Sequence, residues 1–189
     1  MAELDNCPGQ GLVLADSLPL RWRAADTESL AGEAGQYHEN NDEVLRFIAA
    51  LEDSSGDLGE EHQPILQEIT RLETKVNLVL TLMGQLLAVH FPLPPRRSVR
   101  LGPFGMDWMA DSGPQVGDTG AIELWLSTRC PRPLILAGEV ERVERVAQGG
   151  RYVLQFTRMA EPLRERLEKI IFRHHRRSIA LSRRPRHEG

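Results

Sequence analysis

The stretch ILQEITRLETKVNLVLTLMGQLLA, residues 65–88, places Ile65, Ile69, Leu72, Val76, Val79, Met83 and Leu86 at alternating steps of four and three. With Ile69, Val76 and Met83 at heptad position a, the other four fall at d, which is the seam of a helix that packs against other helices. The spacing predicts a helix from about Glu60 to His90, with Pro64 tolerated in its first turn and the prolines at 92, 94 and 95 ending it. At about 1.5 Å per residue this is a rod near 45 Å, longer than a small domain requires.

The apolar surface is wider than one seam. Leu66, Leu80 and Leu87 add an e row, Leu82 lies at g and Leu78 at c. At about 1.5–3 kcal/mol per large apolar side chain, leaving half of them in water forfeits about 10 kcal/mol, which rivals the stability of a whole domain. One small domain offers such a helix a single face to lie on, so copies of the chain are expected to gather. Ile65, Ile69, Leu72, Val76, Val79, Leu80, Met83 and Leu86 form the expected oligomer interface, in a homotetramer or, alternatively, a dimer. Glu73 and Lys75 are the sparse charges beside the seam, so hydrophobic pattern rather than ion pairing selects the partner.

A second, shorter helix is expected just before it, starting at DEVLRFIAALED with Asn40 or Asn41 as its cap and Val44, Phe47, Ile48 and Leu51 available to cover part of the long helix. The preceding AADTESLAGEAGQYHENN has little apolar periodicity and is expected to be loop or weak helix. Residues 11–23 are expected to be extended, with Pro19 placing them at a sheet edge.

After the proline breaker the period changes to two. SVRL, GMDWMA, GAIELWLS, LILAGEVERVERV and RYVLQFT predict five strands, separated by GPFG, DSGPQVGDTG, RCPRP and AQGG. Short strands with tight Gly/Pro turns point to a small antiparallel barrel. EPLRERLEKIIFRHHRR then predicts an amphipathic helix that would cap it. The expected fold class is therefore α+β, a small antiparallel barrel with two long helices forming an oligomeric bundle and a C-terminal helix. The expected segments are 11–23 for the first strand, 41–90 for an inserted oligomerisation hairpin, 96–157 for the other strands, 161–181 for the last helix and 182–189 for a basic tail.

Charge is unevenly spread. Residues 1–62 carry 14 Asp/Glu against Arg21, Arg23 and Arg46, a balance of 3 − 14 = −11, so a chain of net charge −4 is +7 beyond them. Arg183, Arg184 and Arg186 belong to the basic tail, expected to be a solvated terminus; nucleic acid is not an expected partner. Cys7 and Cys130 form no metal-ligand spacing, MAELDNCPGQ has no signal-peptide pattern, and no apolar run reaches the length of a membrane span, so a cytoplasmic protein is expected.

No residue set looks catalytic. Adjacent His174 and His175 point about 100° apart on a helix, LGPFG has no phosphate-loop spacing, and no serine lies in G-x-S-x-G. No enzyme activity, metal or cofactor is expected.

From Arg96 onward, VGDTGAIELWLS, PLILAGEVERVERV, GGRYVLQF and the closing amphipathic helix resemble the PilZ family, small barrels that act as receptors for cyclic di-GMP; LAGEVERVERVAQGGRYVLQFT carries the likeness most strongly. The helical part is similar to the family's atypical branch, in which heptad-bearing helices assemble the barrels into tetramers. The family's ligand motifs are an RxxxR pair and a (D/N)xSxxG turn. The turn aligns with RLGPFGM, where Gly105 is kept, Arg100 replaces the acidic or amide residue and Gly102 replaces serine. Arg96 and Arg100 have RxxxR spacing but abut the turn directly; with the missing strand assigned to LPLRW, both long helices become an insertion between the first two strands. The resemblance therefore implies an adaptor in cyclic di-GMP signalling that engages an unidentified signalling protein and binds the dinucleotide weakly or not at all. The alternative it leaves open is a receptor holding the phosphates through Arg96, Arg97 and Arg100 beside Gly105.

Overall fold

Alternation of apolar and polar residues decides the barrel. The computed structural model describes residues 12–52, 63–90, 92–127, 129–146, 149–157 and 159–182. Six antiparallel strands, β1 (Leu14–Ala24), β2 (Arg96–Leu101), β3 (Gly105–Ala110), β4 (Thr119–Leu124), β5 (Leu134–Arg145) and β6 (Gly150–Phe156), close in the order β1-β2-β3-β6-β5-β4. Every second residue points inward: Val99 and Leu101 of β2, Met106 and Trp108 of β3, and Leu134, Leu136 and Val140 of β5 are almost wholly buried. Trp22, Trp108 and Tyr152 stack through the interior, with centroids 6.0 and 5.4 Å apart. Gly120 is required where β4 crosses this stack, since a Cβ there would come within 2.6 Å of the Trp22 ring. Gly149, at φ 89°, makes the β5–β6 turn.

The barrel has no edge at β1, contrary to the expectation drawn from Pro19. Residues 14–19 of β1 pair with β2 and residues 20–24 pair with β4, so Pro19 stands where the strand changes partners. Its missing N–H falls at that switch, and its carbonyl accepts from the Trp125 amide at 3.1 Å.

Among the described residues three helices accompany the barrel: α1 (Thr27–Glu52), α2 (Gln63–His90) and α3 (Glu161–Ser182). In chain order α1 and α2 lie between β1 and β2. The long helix expected from residue 60 is described from Gln63; residues 60–62 lie outside the described residues, as do 183–189 of the basic tail.

The segment expected to be loop or weak helix is the first half of α1. Asp26 caps it, accepting from the Ser29 amide at 2.7 Å; that backbone bond holds the Asp26 carboxyl below the ordinary carboxylate range. Asn40 and Asn41 are not caps but interior residues of the helix. Arg23 of β1 meets Glu33 at 2.7 Å, and Tyr37 donates to the same carboxylate. Hydrogen bonding to Tyr37 and Arg23 lowers the Glu33 pKa, whereas burial raises that of Tyr37.

α1 rests on its own barrel. Leu30, Val44, Leu45 and Ile48 are buried, and the helix packs on β5, β4 and α3 of its own chain. Asn41, 3% exposed, donates to the Ile135 carbonyl at 2.6 Å and accepts from the Ile135 amide at 2.7 Å. The register of β6 on β5 begins only at Gly138, so this side chain supplies the pairing that β6 does not reach to give. Leu163, Leu167, Ile170 and Ile171 seat α3, which packs against α1 and β1.

Candidate functional site

Two features invite a partner: the face of α2 and the arginines of β2. Leu72, Val76, Leu78, Val79, Leu82, Met83 and Leu86 of α2 are each between 50% and 66% exposed. Ile69, Leu72, Glu73, Val76, Asn77 and Leu80 of α2 face their own chain, across a groove against Phe47, Ala50 and Leu51 at the end of α1. The side chains of Ile65, Leu66 and Leu87 lie outside the described ones.

Helical geometry sorts the remainder. With about 100° per residue, Leu72, Val76, Val79, Met83 and Leu86 span an arc of about 80°. Leu80 and Glu73 lie about 80–100° to one side, toward α1, and Leu82 and Leu78 about 80–120° to the other. Beyond the residues that line the groove, the helix presents Val79, Met83 and Leu86 and, beside them, Leu78 and Leu82, an apolar surface broad enough to suit two neighbouring helices better than one. Among the described residues no helix is long and apolar enough to cross a membrane.

The β2 arginines do not converge. In a strand, alternate residues face opposite sides. Arg96 is exposed and donates to the Ser17 carbonyl. Arg97 lies on the other side, 3.4 Å from Asp111. Arg100 donates to one oxygen of Asp107 through Nε at 2.8 Å and Nη2 at 2.7 Å. Asp107 is only 3% exposed, and its other oxygen lies 3.7 Å from Arg151, so the Arg100 guanidinium is engaged with a buried carboxylate. Glu144 extends the network, 3.9 Å from Arg151 and 3.1 Å from Arg142.

Gly105 opens β3, and its carbonyl accepts from the Gly102 amide at 2.9 Å, closing the β2–β3 turn. Phe104 at the tip is covered by the Arg164 guanidinium, 4.8 Å from the ring centroid. The turn aligned with the ligand motif is therefore occupied by contacts of the protein itself. The Arg100–Asp107 pair has a sequence signal: a hairpin centred between residues 103 and 104 sets 100 opposite 107, the register observed.

A third arrangement had no such signal. Asp16, Arg96, Arg129 and His174, far apart in the chain, line a single cleft of about 410 Å³ at the opposite end of β2 from the turn.

Comparison with known proteins agrees with this architecture. Residues 45–184 match the model of a family described as atypical PilZ domain, cyclic di-GMP receptor. The fold is similar, with a TM-score of 0.70 and 25% identity over 90% of this chain and 92% of the other, to a pathogenic protein of Xanthomonas campestris. That protein is described as a new tetrameric PilZ domain self-assembled via an unusual helical bundle. No curated protein matches the sequence. Because the matched segment takes in 184 − 45 + 1 = 140 of 189 residues, strands β2 to β6 and the helix that bears the seam, the chain belongs to the atypical PilZ family.

Proposed function

We propose that this protein is a non-enzymatic, cytoplasmic signalling module that assembles into a homotetramer through α2 and offers its barrels to another signalling protein. The observation that carries the reading is the broad apolar surface of α2. Seven large side chains, each more than half or half exposed, correspond to about 5–10 kcal/mol per protomer of burial still to be gained. The tetrameric Xanthomonas campestris protein, built through a helical bundle, supports four subunits over two.

Within cyclic di-GMP signalling the role proposed is that of an adaptor, with weak or no binding of the dinucleotide through the family's usual motif. Arg100 supports this, since freeing its guanidinium would break the shorter ion pair of the buried Asp107 carboxylate and leave it the longer Arg151 contact, and breaking a buried pair costs up to about 3–5 kcal/mol. Arg96 and Arg97, on opposite sides of β2, are poorly disposed to share one phosphate pair. Calorimetric titration of the full chain tests this: no saturable heat is expected from cyclic di-GMP below about 10 µM. Tighter binding that disappears in Arg97→Ala or Arg100→Ala would establish the receptor reading instead.

A further inference from the structure

The cleft at the start of β2 has the form of a small-molecule site. β1, the end of α1, the segment after β4 and the middle of α3 all contribute to it. Its volume, about 410 Å³, lies within the range of pockets for small ligands. Pro19, Ile48, Leu51 and Trp125 make an apolar wall, and the Trp125 ring is fixed by an Nε1 hydrogen bond of 3.1 Å to the Pro131 carbonyl.

The charges on the rim are what distinguish it. Arg97 and Arg100 nearby each face a carboxylate. Arg96 and Arg129 do not: Arg96 donates to a neutral carbonyl, and Arg129 forms no ion pair with a described residue. Asp16 is the acidic side chain among the described lining residues, and its carboxylate is turned to His174 Nε2 at 3.6 Å. The cleft therefore offers two guanidinium forks with an imidazole beside the carboxylate that would otherwise oppose an anion.

Two guanidinium groups suit a dianion, and their paired N–H donors match phosphate oxygens. A phosphate alone would leave the apolar wall in water. We infer that this cleft binds a phosphorylated small molecule of about mononucleotide size, with Arg96 and Arg129 on the phosphate and the ligand body along Pro19, Ile48 and Leu51. The site is separate from the family's motif turn, because the length of β2, about 17 Å, lies between Arg96 and residues 102–105.

The test is titration of the full-length protein with AMP, GMP, the parent nucleosides and inorganic phosphate, followed by calorimetry or amide shifts. At least one nucleotide is expected to bind about tenfold or more tightly than both inorganic phosphate and its nucleoside, since each half of the cleft contributes. Arg96→Gln with Arg129→Gln is expected to weaken that binding about tenfold or more. Both positions are exposed, so the fold should be kept. Arg145→Gln, on the exposed end of β5, serves as a control for the loss of one positive charge elsewhere on the surface and should leave binding unchanged. Nucleotide binding no tighter than that of inorganic phosphate, equal loss in the Arg145 control, or no saturation by about 10 mM would overturn the assignment.

Discussion

Leu72→Asp combined with Val79→Asp breaks the assembly. Both residues lie on the central arc of α2 and are more than half exposed in the protomer, so the substitutions strain nothing inside one chain. Packed in a bundle, however, each buries a carboxylate without a partner, at several kcal/mol per site even after water penetrates. With a pair of such charges in every subunit, the cost exceeds the gain of the interface. Light scattering after gel filtration is expected to give a smaller species, less stable to urea than the parent. Leu78→Gln with Leu82→Gln acts on the second arc only, and the expected product is a dimer that keeps the Leu72–Val79 seam. A native mass in both variants would remove α2 from the interface.

Asn41→Ala is expected to destabilise the protomer well beyond what its small loss of volume would cost. The side chain is buried within α1 and holds both the amide and the carbonyl of Ile135. Alanine leaves two backbone groups without partners in a site that water reaches poorly. At about 1–3 kcal/mol for each stranded group, partly relieved by relaxation, the loss is about 2–4 kcal/mol. Urea unfolding at fixed protomer concentration measures it, the concentration being held because assembly contributes to apparent stability. A loss below about 0.5 kcal/mol, the usual range for surface changes, would show that the Asn41 clamp contributes little.

The barrel was readable because its physics is local. The period-two pattern in GMDWMA and in LILAGEVERVERV, with Gly/Pro turns between, leaves few ways to hide Met106, Trp108, Leu134, Leu136 and Val140. The seam was readable for the same reason, since a 4–3 step of apolar residues is a property of one short segment.

The first half of α1 was not, because its helix rests on contacts that no short window contains. Leu30 is its only large apolar residue below 9% exposed among the described positions 27–40. What holds it is Asp26 at the start, Arg23 of β1 against Glu33 and Tyr37, and the amides of Asn40 and Asn41 on the entry to β5, at Pro133 and Ile135. Asn40 and Asn41 were expected as caps because such residues favour helix starts; tertiary pairing overrode that local preference. Pro19 misled in a similar way. A missing donor usually marks an edge, but in a closed barrel it can equally sit where a strand leaves one neighbour for the other.

The site residues divide along the same line. Arg96, Arg97 and Arg100 were grouped by spacing, yet strand alternation and a buried Asp107 send them to three different environments. No spacing in the sequence links Arg129 and His174 to Arg96; only the fold brings them together.

The central claim is that α2 has too much apolar surface for one chain to cover. Multi-angle light scattering on the purified protein addresses it without any substitution. One chain has a mass of 21.3 kDa, so a tetramer is expected at 4 × 21.3, about 85 kDa, and to persist on dilution into the low micromolar range. A well-folded species of 21.3 kDa at high protein concentration would contradict the account.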